Sequence, residues 1–96
     1  MTTQMDPRHA ILFDPVRIGP VTAPNRFYQT PHATGFGWQR PQSGAALRGV
    51  KAEGGWGVVC TEEVEIHPSG DLSPDVEGRI WDARDVPALA LVAEAV

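Results

Sequence analysis

The chain has 96 residues, of which 42% are hydrophobic and 21% are charged, and its net charge is −4. This length allows one small domain at most, and the lack of a basic patch argues against a nucleic-acid partner. No apolar run approaches the ~20 residues that span a bilayer. The N-terminus also lacks a signal-peptide pattern, so we expect a cytoplasmic protein without a membrane partner.

The beginning of the chain predicts a small hairpin. Residues 1–10 are polar and are expected to be loose, and Ile11-Leu12-Phe13 is expected to act as an apolar anchor. A hairpin segment over 11–24 follows from the Gly19-Pro20 turn between two short apolar runs.

A first βα unit is predicted over residues 26–53. Bulky residues at 26–29 predict the first core strand, and the Gly- and Pro-rich residues 30–42 predict a long loop. Ser43 is a candidate cap for a helix from about Gly44 to Glu53, which Gly54-Gly55 would end.

A second βα unit is predicted over residues 58–96. The apolar residues 58–61 predict a buried strand in which Cys60 is covered, and residues 62–80, which include Pro74, predict a second long loop. Asp82 or Asp85 is expected to cap a helix over 86–96, with Pro87 in its first turn.

The order strand, helix, strand, helix predicts an α/β fold with a parallel sheet. Both long loops then follow the carboxyl ends of strands, where α/β proteins bind ligands. A (βα)8 barrel needs about 250 residues, and the last helical pattern has no stop signal. We therefore expect the N-terminal βα units of a TIM barrel that is incomplete in this chain.

The segment Asn25-Arg26-Phe27-Tyr28-Gln29-Thr30-Pro31-His32 resembles the opening strand of the Old Yellow Enzyme family of FMN oxidoreductases. It is most similar to the trimethylamine and dimethylamine dehydrogenase branch, which the segments 50–56 and 79–82 also match. The resemblance implies an FMN-dependent barrel enzyme that transfers hydride through the flavin. Either oxidative demethylation of an N-methylated amine or reduction of an activated alkene would fit.

The resemblance also implies the site residues. Pro31, His32 and Ala33 match the segment whose backbone lies against the flavin ring. The branch has a cysteine joined covalently to the flavin at the position of Ala33, so FMN should be bound non-covalently here. Glu63 matches a flavin-facing position that is aromatic in trimethylamine dehydrogenase, where it helps to cage the substrate cation, so the carboxylate would attract a cationic amine by charge.

Other candidate residues are open to more than one interpretation. Neighbours on an extended segment point to opposite sides, so Glu62 should point away from Glu63 and serve as its control. Trp38 could line a substrate pocket or pack, whereas Trp56 and Trp81 are expected to pack. The three histidines, at positions 9, 32 and 67, lack metal-ligand spacing, and no residue is identified as a proton donor.

Two questions about partners stay open at this point. By resemblance, the ligands of an iron–sulfur cluster would lie beyond the end of this chain, because Cys60 is its single cysteine. An incomplete barrel leaves strand edges bare, so a homo-oligomer or a companion chain is expected to cover them. The alternative interpretation is a non-catalytic small α/β module, or a split subunit that needs a partner chain.

Overall fold

The computed structural model describes residues 4–70 and 76–96. Within these residues, short strands alternate with three α-helices, and 3₁₀ helices begin at Pro7, Pro68 and Ala83. The regular elements are β1 (Val16–Ile18), β2 (Val21–Ala23), β3 (Tyr28–Gln29), α1 (Phe36–Gln39), α2 (Pro41–Glu53), β4 (Val58–Val59), β5 (Val64–Glu65), β6 (Gly78–Arg79) and α3 (Val86–Ala95).

The N-terminal segment is more ordered than its polar composition suggested. A 3₁₀ helix spans Pro7–Phe13, and the Asp6 carboxylate accepts a hydrogen bond from the Arg8 main-chain N–H at 2.9 Å. The expected apolar anchor is not buried, because Ile11 is 55% exposed and Phe13 54%. Phe13 instead makes an edge contact with Phe27, with 5.2 Å between the ring centroids.

The three sheets have two strands each. β1 and β2 form an antiparallel hairpin, and Gly19 adopts φ 57° at its turn, a value that L side chains rarely adopt. β3 and β4 are parallel neighbours, as the βαβ order predicts, with Tyr28 opposite Val58. Both strands are shorter than the predicted 26–29 and 58–61 segments. β5 and β6 pair in parallel within the region expected to be a loop.

Helix α2 begins three residues earlier than expected. Pro41 lies in its first turn, where the fixed φ of proline suits a helix and its missing N–H costs no hydrogen bond. Ser43 therefore lies inside the helix and does not cap it. The preceding loop also contains the short helix α1, and Gly55, with φ 108°, follows the end of α2 as predicted.

The second long loop ends in an arrangement that the sequence did not indicate. Asp85 precedes α3, but its carboxylate accepts hydrogen bonds from Arg79 and from the Trp81 N–H and does not cap the helix. Asp82 caps the preceding 3₁₀ helix through the Arg84 N–H. The part of this loop that contains Pro74 lies outside the described residues.

Few apolar side chains are buried. Among the described residues, Ala23 and Ala45 are the buried hydrophobic ones, whereas five polar or charged residues are buried: Gln29, Arg48, Glu62, Glu65 and Asp85. The radius of gyration is 16.2 Å, compared with about 12 to 13 Å expected for a compact domain of this length. In the described part of the chain, no helix has the length and apolar character to cross a membrane.

We predict that the isolated 96-residue chain shows no cooperative thermal transition. Two small buried apolar side chains cannot offset the conformational entropy lost on folding, which is on the order of 1 kcal/mol or more per residue. Scanning calorimetry of the monomeric chain tests this, with binding of a hydrophobic dye as a second measurement. A sharp calorimetric transition of the monomer would favour an independently folded small module.

Candidate functional site

The residues expected to contact a flavin follow the carboxyl end of β3. Pro31, His32 and Ala33 are all exposed, and Glu63, also exposed, follows β4. Because β3 and β4 are parallel neighbours, both segments leave the same edge of the sheet. In the described part of the chain, no hydrogen bond uses the main-chain N–H groups of His32 and Ala33. These two donors are therefore available to a ligand.

The buried carboxylate of Glu62 joins the two segments. Its Oε2 atom accepts hydrogen bonds from the Thr34 N–H at 2.7 Å, the Thr34 hydroxyl at 3.0 Å and the Gly35 N–H at 3.0 Å. Its Oε1 atom accepts from the Gly37 N–H at 2.6 Å. Thr34, which follows Ala33, is thus hydrogen-bonded to Glu62, which precedes Glu63.

These hydrogen bonds also set the charge state of Glu62. Burial by itself would raise the pKa of Glu62, but the hydrogen bonds from Thr34, Gly37 and Gly35 outweigh it, and the pKa lies below its ordinary value. Glu77 behaves in the opposite way, since partial burial and the negative charges of Glu62 and Glu63 raise its pKa. At neutral pH, Glu62 is therefore a carboxylate that the loop N–H groups solvate in place of water.

The structure changes the relation expected between Glu62 and Glu63. One of the two is buried and the other exposed, as the alternation of an extended segment predicts, but Glu62 is the buried one, at 8% exposure. It anchors a loop, so its substitution is not a neutral control for Glu63. The Glu63 carbonyl accepts a hydrogen bond from the Gly78 N–H at 3.1 Å, which ties this position to β6.

Two basic side chains of helix α2 contact His32. Arg48, which is 3% exposed, donates a hydrogen bond from Nη2 to the His32 carbonyl oxygen. One turn further along α2, the Lys51 Nζ atom lies 3.5 Å from the His32 Nδ1 atom. Both the main chain and the ring of His32 therefore contact basic side chains of α2.

Trp38 forms part of a cation–π sandwich. The Arg79 guanidinium lies 3.3 Å from the centroid of the Trp38 ring and 4.2 Å from that of Trp81. Arg79 Nε also donates to Asp85 Oδ1 at 2.8 Å. Burial alone would raise the pKa of Asp85, but the hydrogen bonds from Arg79 and from the Trp81 main chain lower it. One face of Trp38 is thus covered, although 37% of the residue is exposed.

Cys60 lies beside Tyr28 on neighbouring strands. Its thiol donates a hydrogen bond to the Tyr28 hydroxyl at 3.0 Å. Cys60 was expected to be a buried strand residue, but it is half-buried and follows the end of β4. Trp56, expected to pack, is 43% exposed and contacts Phe27 at 6.2 Å, centroid to centroid.

Sequence reasoning did not identify the buried charges around this edge. Arg48 was not singled out, Asp85 was expected only as a helix cap, and Glu62 was treated as an inert neighbour of Glu63. The residues of Thr34-Gly35-Phe36-Gly37 offered one signal, because two glycines expose main-chain N–H groups that need an acceptor. Within residues 4–70 and 76–96, no three His, Cys, Asp or Glu side chains form a group that could hold a metal ion.

Comparison with known proteins gives close matches. The sequence profile of the NADH:flavin oxidoreductase / NADH oxidase family matches residues 11–96. Dimethylamine dehydrogenase from Hyphomicrobium sp. (strain x) is 47% identical over 91 residues, which are 95% of this chain and 12% of that protein. The chain therefore spans about an eighth of the length of this relative.

Two solved structures share both fold and sequence with the chain. Histamine dehydrogenase from Rhizobium sp. 4-9 superposes with a TM-score of 0.87 at 48% identity, over 95% of this chain and 14% of that protein. The 6-hydroxypseudooxynicotine amine oxidase from Pseudomonas geniculata N1 gives the same TM-score, 0.87, and 48% identity, over 97% of this chain and 14% of that one.

We predict that Gly37→Ala disrupts the loop that Glu62 holds. A Cβ atom at position 37 would lie 2.5 Å from Glu62 Oε1 and would also meet the Glu77 carbonyl oxygen. The matched control is Gly44→Ala, because a Cβ atom there meets its nearest neighbour, Phe36 Cβ, at an ordinary 3.5 Å.

Hydrogen exchange of residues 34–40 in the full-length protein measures the effect. Exchange should accelerate at least roughly tenfold in Gly37→Ala, because a disturbed hydrogen bond to a charged group costs on the order of 1.5 kcal/mol or more. Gly44→Ala should leave exchange unchanged or slower, since Ala is favoured over Gly by up to about 1 kcal/mol inside a helix. Similar exchange in both variants would contradict the close packing around Glu62.

Proposed function

Because this chain belongs to the NADH:flavin oxidoreductase / NADH oxidase family, we propose that it forms the N-terminal βα units of an FMN-dependent (βα)8 barrel oxidoreductase. The observation that carries the proposal is the exposed Pro31–Ala33 segment at the carboxyl end of a parallel strand, in a chain 47% identical to a dimethylamine dehydrogenase. Such a barrel needs about 250 residues, so we assign the activity to the complete barrel and not to these 96 residues alone.

The exposed segment fits a flavin. The N–H groups of His32 and Ala33 offer two donors, and the flavin ring has carbonyl oxygens and ring nitrogens that accept hydrogen bonds. The methyl side chain of Ala33 leaves room for a planar ring. When bound, FMN supplies the hydride acceptor, and this chain supplies the surface that orients it. An iron–sulfur cluster, if the parent has one, would use cysteines outside these 96 residues.

We propose that the substrate is an amine that carries a positive charge. The relatives named above act on amines according to their names. In the proposed reaction, the ammonium substrate first gives up its N–H proton to solvent, and the flavin, when bound, would accept the hydride of a C–H bond next to the neutral amine nitrogen. Water then hydrolyses the resulting iminium, which gives a carbonyl product and the dealkylated or deaminated nitrogen. Reduction of an activated alkene is the second candidate, which the resemblance to the Old Yellow Enzyme family implies.

Glu63 is the residue that we propose to attract the amine, and we propose that the exposed part of Trp38 lines the remainder of the substrate pocket. The carboxylate is exposed at the edge of the sheet, beside the loop that Glu62 holds. Glu77 lies within electrostatic range of Glu63, since the negative charge of Glu63 raises the Glu77 pKa. The negative potential of this region favours a cation over a neutral ligand.

We further propose that the bare apolar surface is covered in the complete protein. Large exposed hydrophobic residues include Ile11, Phe13, Val21, Tyr28 and Ile66. The remaining βα units would cover them, either in the same chain or in a companion chain. The alternative, a non-catalytic small module, is supported only if the isolated chain folds cooperatively.

We predict that the full-length protein has flavin absorbance bands and that acid or heat releases its FMN into the supernatant. Ala33 has no sulfur with which to form a thioether. Flavin that remains with the precipitated protein would reveal a covalent link elsewhere, and a full-length protein without flavin bands would refute the proposed cofactor. Ala33→Cys is expected to retain part of the flavin after precipitation.

We predict that Glu63→Gln in the full-length enzyme weakens binding of cationic amines by up to about fivefold, because an ion pair with an exposed carboxylate is worth on the order of 1 kcal/mol. Binding of neutral analogues and flavin content should change little. Dissociation constants, measured by flavin absorbance changes, test both expectations.

Glu53→Gln provides the control, because Glu53 is an exposed glutamate at the end of α2. It removes the same charge from the same chain, at the end of α2 that precedes β4. Equal effects of Glu63→Gln and Glu53→Gln would show that only net charge matters, and no effect of Glu63→Gln would leave Glu63 without a role in substrate binding.

A further inference from the structure

Ala33 lies between two peptide groups, and a buried charged side chain holds each of them. The His32 carbonyl, in the peptide group before Ala33, accepts a hydrogen bond from Arg48 Nη2. The Thr34 N–H, in the peptide group after Ala33, donates to Glu62 Oε2 at 2.7 Å. Arg48 comes from α2 and Glu62 from the segment after β4, so two separate elements fix one residue.

The planarity of the peptide bond converts these contacts into a direction for Ala33. In a trans peptide group, the carbonyl and the N–H point to opposite sides. Because the His32 carbonyl points toward Arg48, the Ala33 N–H points away from Arg48 and α2. This N–H has no hydrogen-bond partner within the described residues, and Ala33 itself is exposed. It is a donor aimed at the open side of the sheet edge.

The two charged side chains do not themselves reach the open side. Arg48 is 3% exposed and Glu62 is 8% exposed. Burying charges is costly unless they are paired or hydrogen-bonded, so their positions need a compensating role. Glu62 accepts hydrogen bonds from the loop with both carboxylate oxygens, and Arg48 donates from Nη2 to the His32 carbonyl, while its Nη1 atom has no hydrogen-bond partner among the described residues.

We infer that Arg48 and Glu62 are positioning residues that aim the Ala33 N–H at an acceptor atom of the flavin ring. This inference rests on the proposed function. A cation at the His32 carbonyl also polarises the peptide group and makes its N–H a stronger donor. The pair would then hold, through hydrogen bonds, the segment that lacks a thioether to the flavin.

Polarisation of this donor predicts an effect on the flavin potential as well as on affinity. The flavin ring gains electron density on reduction, so a donor to its carbonyl edge stabilises the reduced form more than the oxidised form. Loss of the donor orientation should therefore weaken binding of reduced FMN more than that of oxidised FMN. A tenfold difference corresponds to about 30 mV for a two-electron couple, in the negative direction.

The test uses the full-length protein and its flavin-free form. Arg48→Lys keeps the charge but removes the fork-shaped guanidinium, and Glu62→Gln removes the charge but keeps the shape. Arg40→Lys and Glu53→Gln are matched controls at exposed positions. FMN affinity is measured by titration with fluorescence detection, and the midpoint potential by spectroelectrochemistry, with circular dichroism to establish folding.

We call Arg48→Lys and Glu62→Gln the clamp variants. We expect each of them to bind FMN roughly tenfold more weakly, in line with loss of a hydrogen bond to a charged group. We also expect each to have a more negative flavin midpoint potential. The controls should match the wild type. Folded clamp variants with the FMN affinity and midpoint potential of the wild type would overturn the inference. The proposed function would still stand in that case, because the wild type would bind FMN. A wild-type protein that binds no FMN would instead refute the proposed function.

A measurement on the unmodified protein covers the case in which the variants do not fold. In the flavin-free wild type, the Thr34 amide should exchange slowly with solvent and the Ala33 amide quickly. Addition of FMN should slow exchange at Ala33 and leave Thr34 unchanged. Fast exchange at Thr34, or an Ala33 amide that FMN does not protect, would overturn the inference.

Discussion

The Glu62 carboxylate accepts hydrogen bonds from three main-chain N–H groups and one hydroxyl of the loop that follows β3. A carboxylate that leaves water without such partners is expensive, and so are main-chain N–H groups without acceptors. The carboxylate therefore supplies the acceptors that the loop N–H groups lack, and these N–H groups replace the water that the carboxylate has lost. The arrangement requires a residue without a side chain at Gly37, because the carboxylate occupies the space that a Cβ atom would take.

In the described part of the chain, more polar and charged residues than apolar residues are buried. Charged and amide side chains are buried at the carboxyl-end edge and between its loops, whereas large apolar side chains such as Phe13, Tyr28 and Trp56 remain exposed or partly exposed. Polar contacts thus determine the local shape of the candidate site, but they contribute little of the hydrophobic free energy that stabilises a domain. Formation of the site and stability of the fold therefore depend on different sets of residues.

The sequence predicted the features that depend on local chemistry. The Gly19-Pro20 turn, the helix stop at Gly54-Gly55 and the two strands around Tyr28 and Val58 follow from turn residues and apolar runs. The start of α2 was predicted incorrectly, because Ser43 and Pro41 are both good helix-start residues and the sequence does not rank them. The pairing of β5 with β6 depends on residues that are far apart in the chain, which a local pattern cannot indicate.

For the candidate site, the sequence pointed to the exposed residues and not to the buried side chains that support them. The resemblance pointed to Pro31, His32, Ala33 and Glu63, whereas the side chains that hold this edge escaped notice. Glu62 and Glu63 are identical and adjacent in the sequence, and only the three-dimensional position of the β3 loop distinguishes the buried carboxylate from the exposed one. Arg48 looks like an ordinary helix residue until the His32 carbonyl is placed beside it.

The Arg79 sandwich has a consequence for how a molecule could lie over this edge. Glu77 directly precedes β6 and lies within electrostatic range of Glu63, whereas the guanidinium of Arg79, in β6, is stacked on Trp38 and paired with the Asp85 carboxylate. Because Asp85 balances the charge of Arg79, the negative charges of Glu63 and Glu77 dominate their end of the edge. An ammonium group would be drawn to that end, so an elongated amine would have one preferred orientation before any shape-specific contact is made.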